Sequence, residues 1–187
     1  SNAIRDAIAT PITPGNQGAV DFWFKSNTAW NSSDAMLLDA TTTSARPFFL
    51  LKRSNGALRF SVTDSAGTVH TANTSTAYTF AASTWQHIAV SWSLKAGTNQ
   101  TVLQIMVNGA LAGTTGTTPF RTTSSGTIAA LSTIYAGDNR TSGITPSGGS
   151  PNGANGTIDE VYVYAVDINA TQPAADQPLI RPMPNFL

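Results

Sequence analysis

Large apolar side chains recur at every second position along much of this chain. The clearest case spans 85–109. In Trp-Gln-His-Ile-Ala-Val-Ser-Trp (85–92), Ile88, Val90 and Trp92 alternate with His87, Ala89 and Ser91. In Val-Leu-Gln-Ile-Met-Val (102–107), Leu103, Ile105 and Val107 alternate with Val102, Gln104 and Met106. A period of two puts each set on one face of a β-strand. The polar break between the runs is short, so the two strands are expected to pair antiparallel. Asn108-Gly109 ends the second run and supplies the positive φ that a tight return needs.

The same reading extends in both directions. A strand over 18–25 puts Val20, Phe22 and Phe24 on one face and Asp21 and Trp23 on the other. A polar loop holding Trp30 leads to a short strand over 35–40. A hairpin follows, 47–53 and 57–64 across Ser54-Asn55-Gly56, then a polar strand over 68–74 carrying His70. After Gly109 the pattern predicts a short strand over 110–115 with Leu111 inward. Next come a Thr/Ser loop anchored by Phe120, a strand around Ile134 and Tyr135, and a strong strand over 157–166. The segment 137–156 is almost devoid of apolar residues. Gly148-Gly149 and the prolines Pro146 and Pro151 argue against any strand or helix within it. The expected core is Val20, Phe22, Phe24, Leu58, Phe60, Val62, Ile88, Val90, Trp92, Leu103, Ile105, Val107, Val161 and Val163.

Many short strands, frequent turn signals and no sustained helix period predict an all-β chain of two packed antiparallel sheets. Composition agrees, because Thr and Ser are abundant, Lys is rare and Glu160 is the single Glu. Length allows one well-buried domain. We divide the chain into 1–3 (Ser-Asn-Ala, the remnant of a cleaved tag), an N-terminal arm over 4–17, a core domain over 18–170 and a Pro-rich tail over 171–187. Ten basic and ten acidic residues balance, so no basic footprint for nucleic acid and no polybasic face for a membrane is present. The absence of Cys excludes a disulfide framework and a thiolate metal site. No apolar run is long enough to span a bilayer.

Five segments in order carry a family resemblance. They are Val-Asp-Phe-Trp-Phe-Lys (20–25), Trp-Gln-His-Ile-Ala-Val-Ser-Trp (85–92), Leu-Gln-Ile-Met-Val-Asn-Gly (103–109), Ile-Tyr-Ala-Gly (134–137) and Gly-Thr-Ile-Asp-Glu-Val-Tyr-Val-Tyr (156–164). The chain resembles the laminin G-like branch of the concanavalin A-like lectin/glucanase superfamily from about 18 to 167. The resemblance implies a concanavalin A-like jelly-roll sandwich and a structural role for His87. It implies little about activity, since this fold hosts lectins, adhesion modules, hydrolases and spacers.

Candidate chemistry separates into three kinds. Jelly-roll glucanases of this superfamily carry Glu-x-Asp-x-x-Glu or a close variant, which sets two carboxylates on one face. Here the only acidic doublet is Asp159-Glu160, whose side chains a regular strand points to opposite faces, so a non-catalytic chain is expected. Calcium is the one cofactor the resemblance suggests, with Asp159 of the Ile-Asp-Glu-Val motif as its ligand and loop oxygens beside it. Sugar binding would use aromatic stacking platforms with polar neighbours. Trp23, Trp30, Tyr135, Tyr162 and Tyr164 are the aromatic candidates. Trp23 and Trp30, with Asp138, Asn139 and Arg140 at the start of the long loop, form the expected ligand site. The expected function is a binding or adhesion module of an exported or cell-surface protein, recognising a glycan or a protein as part of a larger chain. A purely architectural domain is the alternative.

Overall fold

The computed structural model describes residues 15–40, 47–113, 120–130, 134–137, 152–165 and 167. Among these residues every regular element is a strand. In chain order they are β1 (Gln17–Ser26), β2 (Ala35–Asp39), β3 (Phe48–Lys52), β4 (Leu58–Thr63), β5 (Val69–Asn73) and β6 (Trp85–Ser93). Then follow β7 (Thr101–Val107), β8 (Ala110–Leu111), β9 (Phe120–Thr122), β10 (Tyr135–Ala136), β11 (Asn152–Gly153) and β12 (Gly156–Tyr164). They form two sheets, one in the order β12-β1-β6-β7-β8 with β9 also on β7, the other in the order β10-β2-β3-β4-β5 with β11 on β2. All pairings are antiparallel except β11 with β2.

The alternation explains the sandwich. Val20, Phe22 and Phe24 of β1 meet Ile88, Val90 and Trp92 of β6, Leu103, Ile105 and Val107 of β7, and Leu58, Phe60 and Val62 of β4 in one buried cluster. Val161 and Val163 of β12 pack against it while remaining partly buried. At its centre Trp92 lies edge-on to Phe48, with ring centroids 5.2 Å apart, and Phe48 lies edge-on to Phe60 at the same separation. Such edge contacts add to what area burial alone supplies. The Trp92 indole N–H donates to the Gly15 carbonyl at 3.0 Å, tying the segment before β1 to the core. Gly18 sits in that seam; a Cβ there would come within 2.5 Å of the Trp92 ring and 2.8 Å of the Tyr164 carbonyl oxygen.

The central hairpin is β6–β7, with Val90 opposite Ile105 and Trp92 opposite Leu103. Asn108 and Gly109 both have positive φ, 52° and 77°, as a two-residue return into β8 requires. Leu111 differs from the inward position expected of it. It pairs with Met106 and packs with Ala19, Ala89 and Tyr164 on the outer face, while Ala112 turns to the core. The tight turn sets this phase, since β8 must run in register with β7. Phe120 begins a short strand where a loop was expected, because β7 extends beyond β8 and leaves Thr101 to Leu103 open to pair with Thr122 to Phe120. The segment 137–156 likewise contains a strand, β11, which adds to the free edge of β2 through Asn152 and Gly153. Backbone pairing with a sheet edge outweighs weak local propensity there.

Candidate functional site

The outer face of the sheet containing both terminal strands is built by β12, β1 and β6. Asp21, Trp23 and Lys25 are the outward residues of β1, alternating with the core residues Phe22 and Phe24. Across one flank, Trp23 pairs with His87, Lys25 with Trp85 and Asp21 with Ala89. Across the other, Trp23 pairs with Asp159, Lys25 with Thr157 and Asp21 with Tyr162. Trp23 is therefore the centre of a small grid, with His87 and Asp159 as its lateral neighbours.

A β-bulge completes the grid. The β1–β12 register shifts between Asp21 and Trp23, so β12 carries one extra residue opposite Phe22. Glu160 sits at this point with φ 50°, and its backbone N–H donates to Asp159 Oδ1 at 2.8 Å. The left-handed backbone at a non-Gly residue costs energy and is held by that side-chain bond. The bulge changes the phase of the strand. Ile158 before it and Val161 and Val163 after it all reach the core, and Tyr162 and Tyr164 face outward beside Asp21.

Polar contacts order the face. Tyr164 Oη donates to Asp21 Oδ2 at 2.9 Å. His87 Nε2 stands 3.7 Å from Asp21 Oδ1, an ion-pair distance rather than a hydrogen bond. The His87 ring packs on Trp23 with centroids 5.1 Å apart. Lys25 Nζ lies over the Trp85 ring, 4.8 Å from its centroid. The two ends of the face differ in access. Ala19, Ala89 and Met106, with Tyr164 and Leu111 packed on them, close one end. Trp23, Lys25, Trp85 and Asp159 remain half-buried at the other, beside exposed Thr157. The arrangement offers an aromatic surface with carboxylates and an imidazole held around it, which suits stacking and hydrogen bonding to a hydroxyl-rich ligand.

Of the residues chosen from sequence, Trp23 and Asp159 come together as cross-strand partners. Trp30 does not join them, and its assignment as a stacking platform is corrected. It is 1% exposed, packs edge-on to Phe24 and Phe80, and donates from Nε1 to the Gly56 carbonyl at 2.9 Å. Buried Lys52 holds the Trp30 loop in place, donating from Nζ to the Trp30 and Ser33 carbonyls at 2.6 Å each. Burial lowers the Lys52 pKa, and the negative charge of Asp34 opposes that effect. Tyr135 lies on the other sheet, paired with Asp39. Asp138, Asn139 and Arg140 fall outside the described residues. The base of their loop is closed by Ala154 N–H donating to the Gly137 carbonyl at 2.8 Å.

A calcium cage needs six to eight converging oxygens. Among the described residues no three His, Asp or Glu side chains converge, and one Asp159 oxygen is committed to the Glu160 N–H.

A family model for the concanavalin A-like lectin/glucanases superfamily, of the laminin G type, matches residues 5–172. The chain belongs to this superfamily. Its jelly-roll sandwich is shared with solved structures of low sequence identity. A native heptameric SAP-like pentraxin from Limulus polyphemus is 16% identical with TM-score 0.57, covering 84% of this chain and 68% of that one. The CBM40 of a Ruminococcus gnavus IT-sialidase, bound to α2,3-sialyllactose, is 17% identical with TM-score 0.54, covering 82% and 77%. Domains LG4-5 of the mouse laminin α1 chain are 14% identical with TM-score 0.61; 87% of this chain is covered but only 39% of the laminin pair. A search of curated proteins found no match. Among superfamily members, binding domains and hydrolases share this sandwich, so membership fixes the fold and not the chemistry.

Asp21, His87, Lys25 and Trp85 were not singled out as ligand residues from the sequence. The alternation of β1 already places Asp21 beside Trp23. What it lacks is the pairing of β1 with both β6 and β12, which alone brings His87 and Asp159 to the same ring.

Proposed function

We propose that this chain is a non-catalytic glycan-binding module, and that its ligand rests on the outer face centred on Trp23. One observation carries the reading. A half-buried indole is flanked on its own strand by Asp21 and Lys25 and across the sheet by His87 and Asp159. A flat apolar surface stacks on the apolar face of a pyranose, and fixed polar groups read its hydroxyls. The Tyr164–Asp21 hydrogen bond supports the reading further, because groups held by their neighbours lose less entropy on binding. The CBM40 neighbour, solved bound to α2,3-sialyllactose, is a carbohydrate-binding example on the same sandwich. A non-catalytic role accords with the carboxylates present. Glu160 has only its chain neighbour Asp159 as an acidic companion in the bulge, and Asp21 is already engaged by Tyr164 and His87. A module of this kind belongs to an exported or cell-surface protein.

A glycan array with the wild-type chain and Trp23→Ala tests the proposal. The wild type is expected to bind a defined set of saccharides, and Trp23→Ala to lose about tenfold or more in affinity, the loss of roughly one stacked ring contact. Because Trp23 is partly buried against His87, thermal unfolding is followed alongside and Trp23→Phe is compared, to separate lost stacking from lost stability. An array without a single bound saccharide rejects the reading in favour of an architectural domain.

A further inference from the structure

Charge around the Trp23 platform is unbalanced in one direction. Asp21 and Asp159 flank the ring along and across the sheet, and Glu160 adjoins Asp159 at the bulge. Opposing them are the Lys25 ammonium, drawn over the Trp85 ring, and the His87 imidazole, set against Asp21. Among the described residues, three carboxylates stand against one ammonium and one imidazole, a negative balance whether or not the imidazole carries a proton. The negative groups are also the better placed acceptors. A carboxylate has four lone-pair sites, and among the described residues Asp159 uses one of them on the Glu160 N–H, which leaves acceptor capacity on this half-buried group. Hydroxyl groups of a sugar are donors that such oxygens bind strongly, through charge-assisted hydrogen bonds. A sugar carboxylate or sulfate is an acceptor only and would stand among like charges in a partly desolvated site.

Resting on the glycan-binding reading, we infer that the Trp23 face selects neutral pyranoses and rejects acidic ones. The ring stacks on Trp23, its hydroxyls donate to the half-buried Asp159, and buried Asp21 with Glu160 supplies the excluding negative field. This preference is opposite to that of a sialic-acid site, so it separates this chain from the sialyllactose-bound neighbour of the same fold.

Matched ligands test the inference on the intact chain. Methyl β-glucoside and methyl β-galactoside are each compared with the corresponding methyl uronide, which differs only at C6, by tryptophan fluorescence titration. The neutral member of a pair should bind roughly tenfold or more tightly at low salt, and the gap should narrow at high salt as the carboxylates are screened. Asp159→Asn with Glu160→Gln should narrow the gap at low salt as well. Asn keeps an acceptor for the Glu160 N–H, and the thermal unfolding of the variant checks its fold. Equal or tighter binding of the uronide overturns the inference, as does a gap that neither salt nor the double substitution alters. Failure of every pair to bind overturns it too. The glycan array stands separately, so this last outcome is distinguishable from loss of the glycan-binding reading.

Discussion

Two Asp–His pairs lie in the described structure, and they are wired differently. Asp64, at the end of β4, is 2% exposed and fully engaged. Its Oδ1 accepts from the backbone N–H groups of Ala66 and Thr68 at 3.0 and 2.9 Å. Its Oδ2 accepts from the Ser125 N–H at 2.9 Å and faces His70 Nε2 at 3.0 Å. One carboxylate thus holds the β4–β5 turn, the edge strand β5 and the 124–128 segment together. Asp21, 3% exposed, has side chains alone as partners, Tyr164 and the more distant His87, and it borders an accessible tryptophan. Backbone amides cannot turn away from their acceptor without unfolding the turn. Side chains can rotate, so the second network can adjust to a ligand while the first cannot. The lesson is that the type of partner, and not burial or the presence of a histidine, separates the clasp from the proposed ligand face.

The largest effect that would break this contrast is at the clasp. Asp64→Ala leaves three backbone N–H groups without their acceptor, and we expect a loss of about 3 kcal/mol in urea denaturation with glycan binding intact. A loss under about 1 kcal/mol would mean that water replaces the carboxylate readily and that the clasp is incidental.

Acid should expose the same difference. Burial raises the Asp64 pKa, but the Ser125 N–H, His70 and the Thr68 N–H outweigh it and bring the value down to about 2 from 3.8. A carboxyl with a depressed folded pKa stabilises fully above its unfolded value, and that contribution disappears as pH falls through the folded one. The stability of the wild type relative to Asp64→Asn should therefore be constant above about pH 4 and shrink between about pH 4 and 2, read by denaturation at each pH. A difference independent of pH across that range would show that the charge of Asp64 contributes nothing.

The smallest effect belongs to the other pair. Tyr164→Phe removes one hydrogen bond to Asp21 and keeps the ring packed on Ala19 and Met106, so about 1 kcal/mol or less of stability should be lost. Its larger readout is the affinity for the array ligand, which should fall as Asp21 loses its orientation. Unchanged affinity would separate Asp21 from the ligand face.

Much of this was legible before the fold was known. The expected core residues are buried or packed on the core because period two is a local property, and strand faces follow from it directly. Asn108-Gly109 declared its turn for the same reason, since the need for positive φ belongs to the residues themselves. Trp23 and Trp30 show where local reading ends. Trp30 stands among polar neighbours in the sequence, yet it is enclosed by Phe24 and by Phe80 and the Gly56 carbonyl, the last two distant in the chain. Trp23 is left half-buried because its alternation turns it away from the core.

The bulge at Glu160 was not expected, since the stretch reads as a regular strand, and its trace in the sequence shows only once the burial of Ile158 is known. Ile158 and then Val161 and Val163 break the even–odd phase, and only an inserted residue can bury all of them. Which partner would face the extra residue was not readable, because pairing is a property of two strands. By itself, then, the sequence determined the long strands, their buried faces and the Asn-Gly turn, which are set by side-chain alternation and backbone preference, but not the phase of β8 or the short edge strands β9 and β11. Tertiary structure alone decided that β1 lies between β6 and β12, and with it that Trp23 meets His87 and Asp159. Those contacts span most of the chain, and their geometry comes from sheet register and the packing of two faces, which no local pattern encodes.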